Sequence, residues 1–182
     1  YVEVRTRLPA SVGYAVLRHF HAASSMVMVA TDSLRQELGA RGFRKLGFWT
    51  RGVDTDLFNP NNPATLDLPR PIFMTMGRVA VEKNLEAFLS LDLPGTKVIV
   101  GDGPQRGALE AQAAAMGFAG RVVFAGNRDD VAPWLQSFDV FALPSYANEG
   151  VPQALLQAMF TALGAVTTDA GAIPEIAIDG RT

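Results

Sequence analysis

Glu149 is followed at once by Gly150, Val151 and Pro152, and then by an apolar run of Ala154, Leu155, Leu156, Ala158, Met159 and Phe160. Glycine lets the backbone turn, proline suits the first position of a helix, and the apolar run predicts a helix body that is mostly buried. The free N–H groups of Gly150, Val151 and Gln153 would lie beside Asn148 and the Glu149 carboxylate, so donors, the positive end of the helix dipole and a carboxylate converge on one small volume. That combination suits a polyol carrying phosphate, although a buried helix needs no ligand. Residues 150–168 also lack any charge, over a length close to the ~20 residues a bilayer requires. Two glutamines, the early proline, Gly164 at a cap position and the β-branched Val166-Thr167-Thr168 describe a helix, a turn and a strand instead.

Other residues could do chemistry as well. Arg78 and Lys83 follow a predicted strand over 72–77 that ends in Gly77. Cations so placed, together with helix N–H groups, stabilise charge that builds on a leaving group. Gly101-Asp102-Gly103-Pro104-Gln105-Arg106-Gly107 approximates a dinucleotide fingerprint, with Arg106 where the third glycine belongs. With Arg128 available for a 2′-phosphate, an NADP-binding oxidoreductase is a rival reading. Asp54 and Asp56 form an Asp-x-Asp after a predicted strand, a pattern able to hold a divalent metal, yet no further acidic ligand is adjacent. His19 and His21 point to different faces of a predicted helix, which argues against a shared metal.

Glu149-Gly150-Val151-Pro152, Gln157-Ala158-Met159 and Thr168-Asp169-Ala170-Gly171-Ala172-Ile173-Pro174-Glu175 together resemble the donor-site signature of retaining GT-B glycosyltransferases of family four. The resemblance covers roughly residues 9–180. It implies that Arg78 and Lys83 meet the diphosphate of a nucleotide sugar and that Glu149 lies near the sugar. Gly77, Gly103, Asn127, Arg128, Gly150, Val151 and Pro152 would complete the donor site, with Gly126-Asn127-Arg128 beside the nucleobase. The family has a second acidic residue eight positions after the first, at the ribose; here that residue is Gln157. Ala162 and Gly164 replace a glycine and a proline of the pattern, and Ala172 replaces a glycine. The implied activity is hexose transfer with retention from a nucleotide diphosphate sugar, without cofactor or metal. The acceptor is left open between lipid and glycan; residues 1–58 look nearest to the lipid-directed mannosyl- and sulfoquinovosyl-transferase branch. A nucleotide-sugar-binding module without turnover is the alternative.

The elements that must position these residues follow from periodicity. Residues 11–24 and 31–38 read as helices, the second capped by Thr31-Asp32-Ser33 with Ser33-x-x-Gln36 at capping-box spacing and Leu34 and Leu38 inward. Met26–Ala30 and 45–49 read as strands. From residue 71 onward, strands and helices alternate about five times, which specifies a parallel sheet with helices on both faces. The expected fold is therefore α/β: a doubly wound, Rossmann-like sheet of GT-B type with a partial second α/β domain. The boundary is set at the Asn59-Pro60-Asn61-Asn62-Pro63 loop, giving 1–59 as part of an N-terminal acceptor-side domain and linker and 60–182 as the donor-binding domain. Because Tyr1 opens the chain and Ile178–Thr182 reads as a loop, an excised piece of a longer enzyme is expected. With 48% hydrophobic and 19% charged residues, net charge −2 and no cysteine, a full core is available. No nucleic-acid partner, disulfide or transmembrane segment is expected. Cytoplasm is the default location, with membrane-peripheral attachment of the longer protein as the variant.

Overall fold

The computed structural model describes residues 9–61, 66–118, 120–147 and 149–181; Asn148 and part of the 59–63 loop therefore lie outside the described residues. The chain divides into two compact units, Tyr1–Arg51 and Gly52–Thr182. The second unit thus takes in residues 52–59, ahead of the loop chosen from sequence, and Phe58 is buried in its core.

In the first unit, α1 (Ala10–Phe20) continues into a 3₁₀ turn, His21–Ala23, and β1 (Val27–Val29) pairs in parallel with β2 (Leu46–Phe48). Between them, α2 (Asp32–Ala40) is capped by Thr31, whose Oγ1 accepts from Leu34 N at 3.2 Å. Ser33 is not the cap: Gln36 Nε2 donates to Asp32 Oδ2 at 2.9 Å, one residue out of the capping-box register. Leu34 is exposed and only Leu38 is half-buried, so the inward face read from sequence is narrower than expected. In β1, only Val29 is buried. Tyr14 donates to Glu37 at 2.7 Å and Arg18 to the Arg41 carbonyl at 2.8 Å, which ties α1 to the end of α2.

The second unit is a five-stranded, all-parallel sheet built from β3 (Ile72–Met76), β4 (Thr96–Val100), β5 (Val122–Gly126), β6 (Val140–Leu143) and β7 (Gly164–Thr167). Their order is β5-β4-β3-β6-β7. The crossovers carry α3 (Leu85–Ser90), α4 (Arg106–Ala115), α5 (Val131–Leu135) and α6 (Gln153–Phe160). Alternation along β4 separates two cores: Val98 and Val100 join the cluster that contains Leu135, Leu155 and Ala158, whereas Ile99 joins Leu85, Phe88, Leu89 and Leu109. Since successive strand side chains point to opposite faces, helices cover both sides of the sheet, as expected for a doubly wound fold.

Two details of the last crossover differ from the sequence reading. Helix α6 starts at Gln153, with Pro152 in an extended conformation at the cap position rather than at the first helical position. Its Leu155 and Ala158 are buried while Phe160 is 48% exposed, so the helix is amphipathic and not mostly buried. Its end also falls earlier: Ala162 takes the left-handed conformation, φ 58°, and Gly164 already begins β7. Among the described residues no helix is long and apolar enough to cross a membrane.

Candidate active site

The sheet order has its switch point beside β3: from there the chain proceeds outward through β4 and β5, then returns to the other side of β3 as β6. In open parallel sheets the crevice beyond the carboxyl ends of the strands at such a point is where ligands bind. The segments facing each other there are 77–84, after β3, and 144–147 with Glu149, after β6.

The segment after β3 has a fixed course. Gly77 has φ 148°, Val79 and Ala80 are buried, and residues 81–83 form a single 3₁₀ turn closed by Asn84 at φ 49°. The segment after β4 lies directly against it. A Cβ at Gly101 would stand 2.0 Å from the Gly77 carbonyl oxygen, and one at Gly103 would stand 2.3 Å from that of Val79. These glycines permit backbone-to-backbone contact, sealed by Val79 N donating to Asp102 O at 2.9 Å. At Gly103 the absence of a side chain is thereby required by packing.

Across the crevice, Lys83 Nζ and Glu149 Oε1 form an ion pair at 2.5 Å, with side chains 24% and 7% exposed. Residues so distant in sequence meet because three loops interlock. Tyr146 N donates to Glu82 O at 3.3 Å, joining the β6 loop to the 3₁₀ turn. On the other side Ala172 N donates to Glu149 O at 2.9 Å, and a Cβ at Gly171, φ 62°, would stand 2.0 Å from that same oxygen. Any side chain at 171 would push the β7 loop off Glu149. Thr168 Oγ1 donates to the Ser145 carbonyl, a further tie between the β6 and β7 loops. The carboxylate is thus held on a rigid backbone, whereas the lysine reaches it with a flexible stem. A cation with one committed N–H and partial exposure can still bind an anion.

The other sequence-derived residues are placed as follows. Arg78 is on the same loop as Lys83, is 67% exposed and pairs with Glu82 at 3.0 Å. Asn127 is exposed, and Arg128 spends its fork on Asp130 at 2.7 and 2.6 Å while lying 4.6 Å from the Trp134 ring centroid. The hydrogen bonds to Asp130 raise the Arg128 pKa and lower that of Asp130. Of the features that suggested a dinucleotide, Gly103 packs on the Val79 backbone and Arg128, although exposed, is ion-paired with Asp130. Gly150 is exposed, Val151 half-buried and Pro152 buried before α6, on which Gln157 is half-buried. Because α6 starts only at Gln153, Glu149 lies outside the helix that carries Gln157. Asp54 Oδ1 accepts from Asp56 N at 3.0 Å and Leu57 N at 3.2 Å, so the Asp-x-Asp shapes a turn. Among the described residues no group of three or more His, Cys, Asp or Glu is assembled for a metal.

A cavity of about 550 Å³ lies away from the ion pair, against edge strand β7 and residues 173–180. One of about 210 Å³ lies between Val81, Asn84, Gln105 and Tyr146, on the flank of the 3₁₀ turn. At the crevice itself a cavity of about 10 Å³ is bordered by Thr75, Gly77, Arg78, Lys83 and Ser145. Sequence reasoning assigned no role to Tyr146 or Ser145, and Gly101 entered only as the first glycine of the dinucleotide-like pattern; its position right after an apolar β-run was the available signal for its packing role.

A family model described as "Glycosyl transferases group 1" matches residues 70–182. The sulfoquinovosyl transferase SQD2 of Arabidopsis thaliana is 30% identical over 179 residues, covering 90% of this chain and 34% of the relative. A GDP-mannose-dependent alpha-mannosyltransferase of Mycobacterium tuberculosis is 30% identical over 185 residues, covering 96% and 47%. The chain therefore spans about half the length of these relatives or less. Among solved structures, Anabaena Alr3699/HepE in complex with UDP and glucose superposes with a TM-score of 0.77 at 18% identity, over 93% of this chain and 51% of that one. The fold is thus that of GT-B neighbours. A family match over most of the chain, on the sheet that carries the Lys83–Glu149 crevice, shows that this chain belongs to the glycosyl transferases group 1 family.

Proposed function

We propose that this chain supplies the donor half of a retaining, family-four hexosyltransferase, which binds a nucleoside diphosphate sugar at the β3/β6 crevice and passes the hexose to an acceptor. The observation that carries this reading is the ion pair of Lys83 with a carboxylate only 7% exposed, at the switch point of the sheet. Breaking the bond between the anomeric carbon and the diphosphate oxygen leaves negative charge on the diphosphate. A fixed ammonium near that oxygen lowers the barrier because its stabilisation grows as the charge develops. Lys83 fills this role, and Arg78, more exposed on the same loop, adds a second cation once a diphosphate draws it from Glu82. Glu149 has two tasks. It holds Lys83 in place, and it offers acceptor oxygens to the hydroxyls of the sugar. With two cations opposite the diphosphate, no divalent ion is required.

The relative named for GDP-mannose and the UDP complex of the structural neighbour support guanine and uracil as the first bases to test. For the acceptor, the lipid-directed branch is the leading class, with a glycan second. Gln157 in place of an acidic residue favours one further reading, a module that binds nucleotide sugar without turnover.

The test is a panel of UDP, GDP, uridine, guanosine and NADP measured by thermal shift and calorimetry. Stabilisation by UDP or GDP, unaffected by chelator, is expected. Stabilisation by NADP alone would contradict the transferase reading. Release of free hexose or transfer from the matching sugar nucleotide separates the enzyme from the binding module.

A further inference from the structure

One polar atom at the crevice has no partner among the described residues. Ser145, two residues beyond β6, is completely buried, and its Oγ makes no hydrogen bond among the described residues. Its backbone is pinned on both sides: its carbonyl accepts from Thr168 Oγ1, and the next N–H donates to Glu82 O at 3.3 Å. The side chain therefore stays where it is, and buried hydroxyls without partners are rare because of their desolvation cost. Ser145 borders the cavity of about 10 Å³ together with Thr75, Gly77, Arg78 and Lys83. That volume is about one water probe, too small for a phosphate, and its border carries two hydroxyls and two cations.

We propose that Ser145 is a positioning residue: its hydroxyl holds a single buried water between the loops after β3 and β6, and that water accepts a second N–H of Lys83. The Lys83 ammonium is then fixed between Glu149 on one side and the Ser145-bound water on the other. Its third N–H is left for an incoming anion. This inference rests on the reading of Lys83 as a diphosphate ligand.

Two arrangements of this serine predict stability changes of opposite sign. In a dry cavity, Ser145→Ala deletes an unpaired buried hydroxyl and raises Tm. With the water in place, Ser145→Ala removes one of its anchors, and Tm falls by about 2–4 °C. The variant also loosens Lys83, so affinity for UDP or GDP falls by about three- to tenfold while that for the nucleoside is unchanged. Ser145→Cys, close in size and a weak donor, is expected between wild type and Ser145→Ala in both measurements. A crystal structure of the chain should show one water within hydrogen-bond distance of Ser145 Oγ. A rise in Tm for Ser145→Ala overturns the proposal. So does a fall in Tm with diphosphate affinity unchanged, because the serine would then serve only the fold. If wild-type protein binds neither UDP nor GDP, the donor-site reading itself fails and takes the positioning role with it. In that case the sign of the Tm change still reports on the water.

Discussion

Two lysines with restricted exposure stand at opposite ends of the same parallel sheet and do different work. Lys97, near the start of β4, is 4% exposed. Its ammonium donates to Leu89 O at 2.6 Å and to Leu91 O, and it lies 4.5 Å from the Phe118 ring centroid. Carbonyls and a ring surround it, and among the described residues it makes no ion pair with a carboxylate, Asp92 acting on it only at longer range. Burial, with help from the charge of Arg121, holds its pKa below the ordinary lysine value. The carbonyls of Leu89 and Leu91 belong to the end of α3, so Lys97 acts as a C-terminal cap fed in from the sheet. Lys83, beyond the carboxyl end of β3, meets one carboxylate and keeps 24% of its side chain exposed. The first lysine is saturated by the fold, and the second is pre-positioned but unsaturated. Burial of a cation therefore does not by itself mark a functional site; in the proposed function it is spare donor capacity at a switch point that distinguishes Lys83.

The comparison can be broken at each end. The largest expected effect on the fold is at Lys97. Lys97→Met leaves two buried carbonyls short of a donor and should cost about 2 kcal/mol in chemical denaturation, with affinity for UDP or GDP unchanged. A parallel loss of nucleotide affinity in the folded variant would erase the distinction between the two ends. At the carboxyl end, Gln157→Glu should tighten UDP or GDP by about 1 kcal/mol, several-fold in calorimetry, because a carboxylate accepts from ribose hydroxyls where an amide has one acceptor oxygen. Unchanged affinity would assign Gln157 to packing. The smallest effect is expected at Ala162, held at φ 58°. Ala162→Gly relieves the left-handed strain and should stabilise by about 0.5–1 kcal/mol, read as a higher Tm, without altering nucleotide affinity.

What sequence could reveal differed between these regions for physical reasons. Strand and helix succession from residue 71, the two-faced burial of the sheet and the loops at its carboxyl edge follow from local periodicity and glycine placement, and those features were read correctly. Arg78, Lys83 and Glu149 were legible in the sequence as charged residues near turns. Their pairing was not, because the Lys83–Glu149 contact depends on three loops meeting after the chain reverses direction in the sheet. The start of α6 was misplaced by one residue since Pro152 suits both the cap and the first helical position. Ala162 was missed as the left-handed residue because alanine signals helix continuation, whereas Gly164 advertises a cap it does not make. Lys97 hid inside an apolar strand run, and nothing local distinguishes a lysine bound for carbonyls from one bound for solvent. The pairing of Arg128 with Asp130, two residues on, was likewise not read from sequence.

The central claim is that Lys83 is held in readiness for a diphosphate. Isothermal titration of wild type and Lys83→Ala with UDP or GDP, and with the corresponding nucleoside, tests it most directly. The expected result is a loss of about 1.5–3 kcal/mol for the diphosphate, with the nucleoside bound equally by both proteins. An equal loss for diphosphate and nucleoside, or no loss for either, would contradict it.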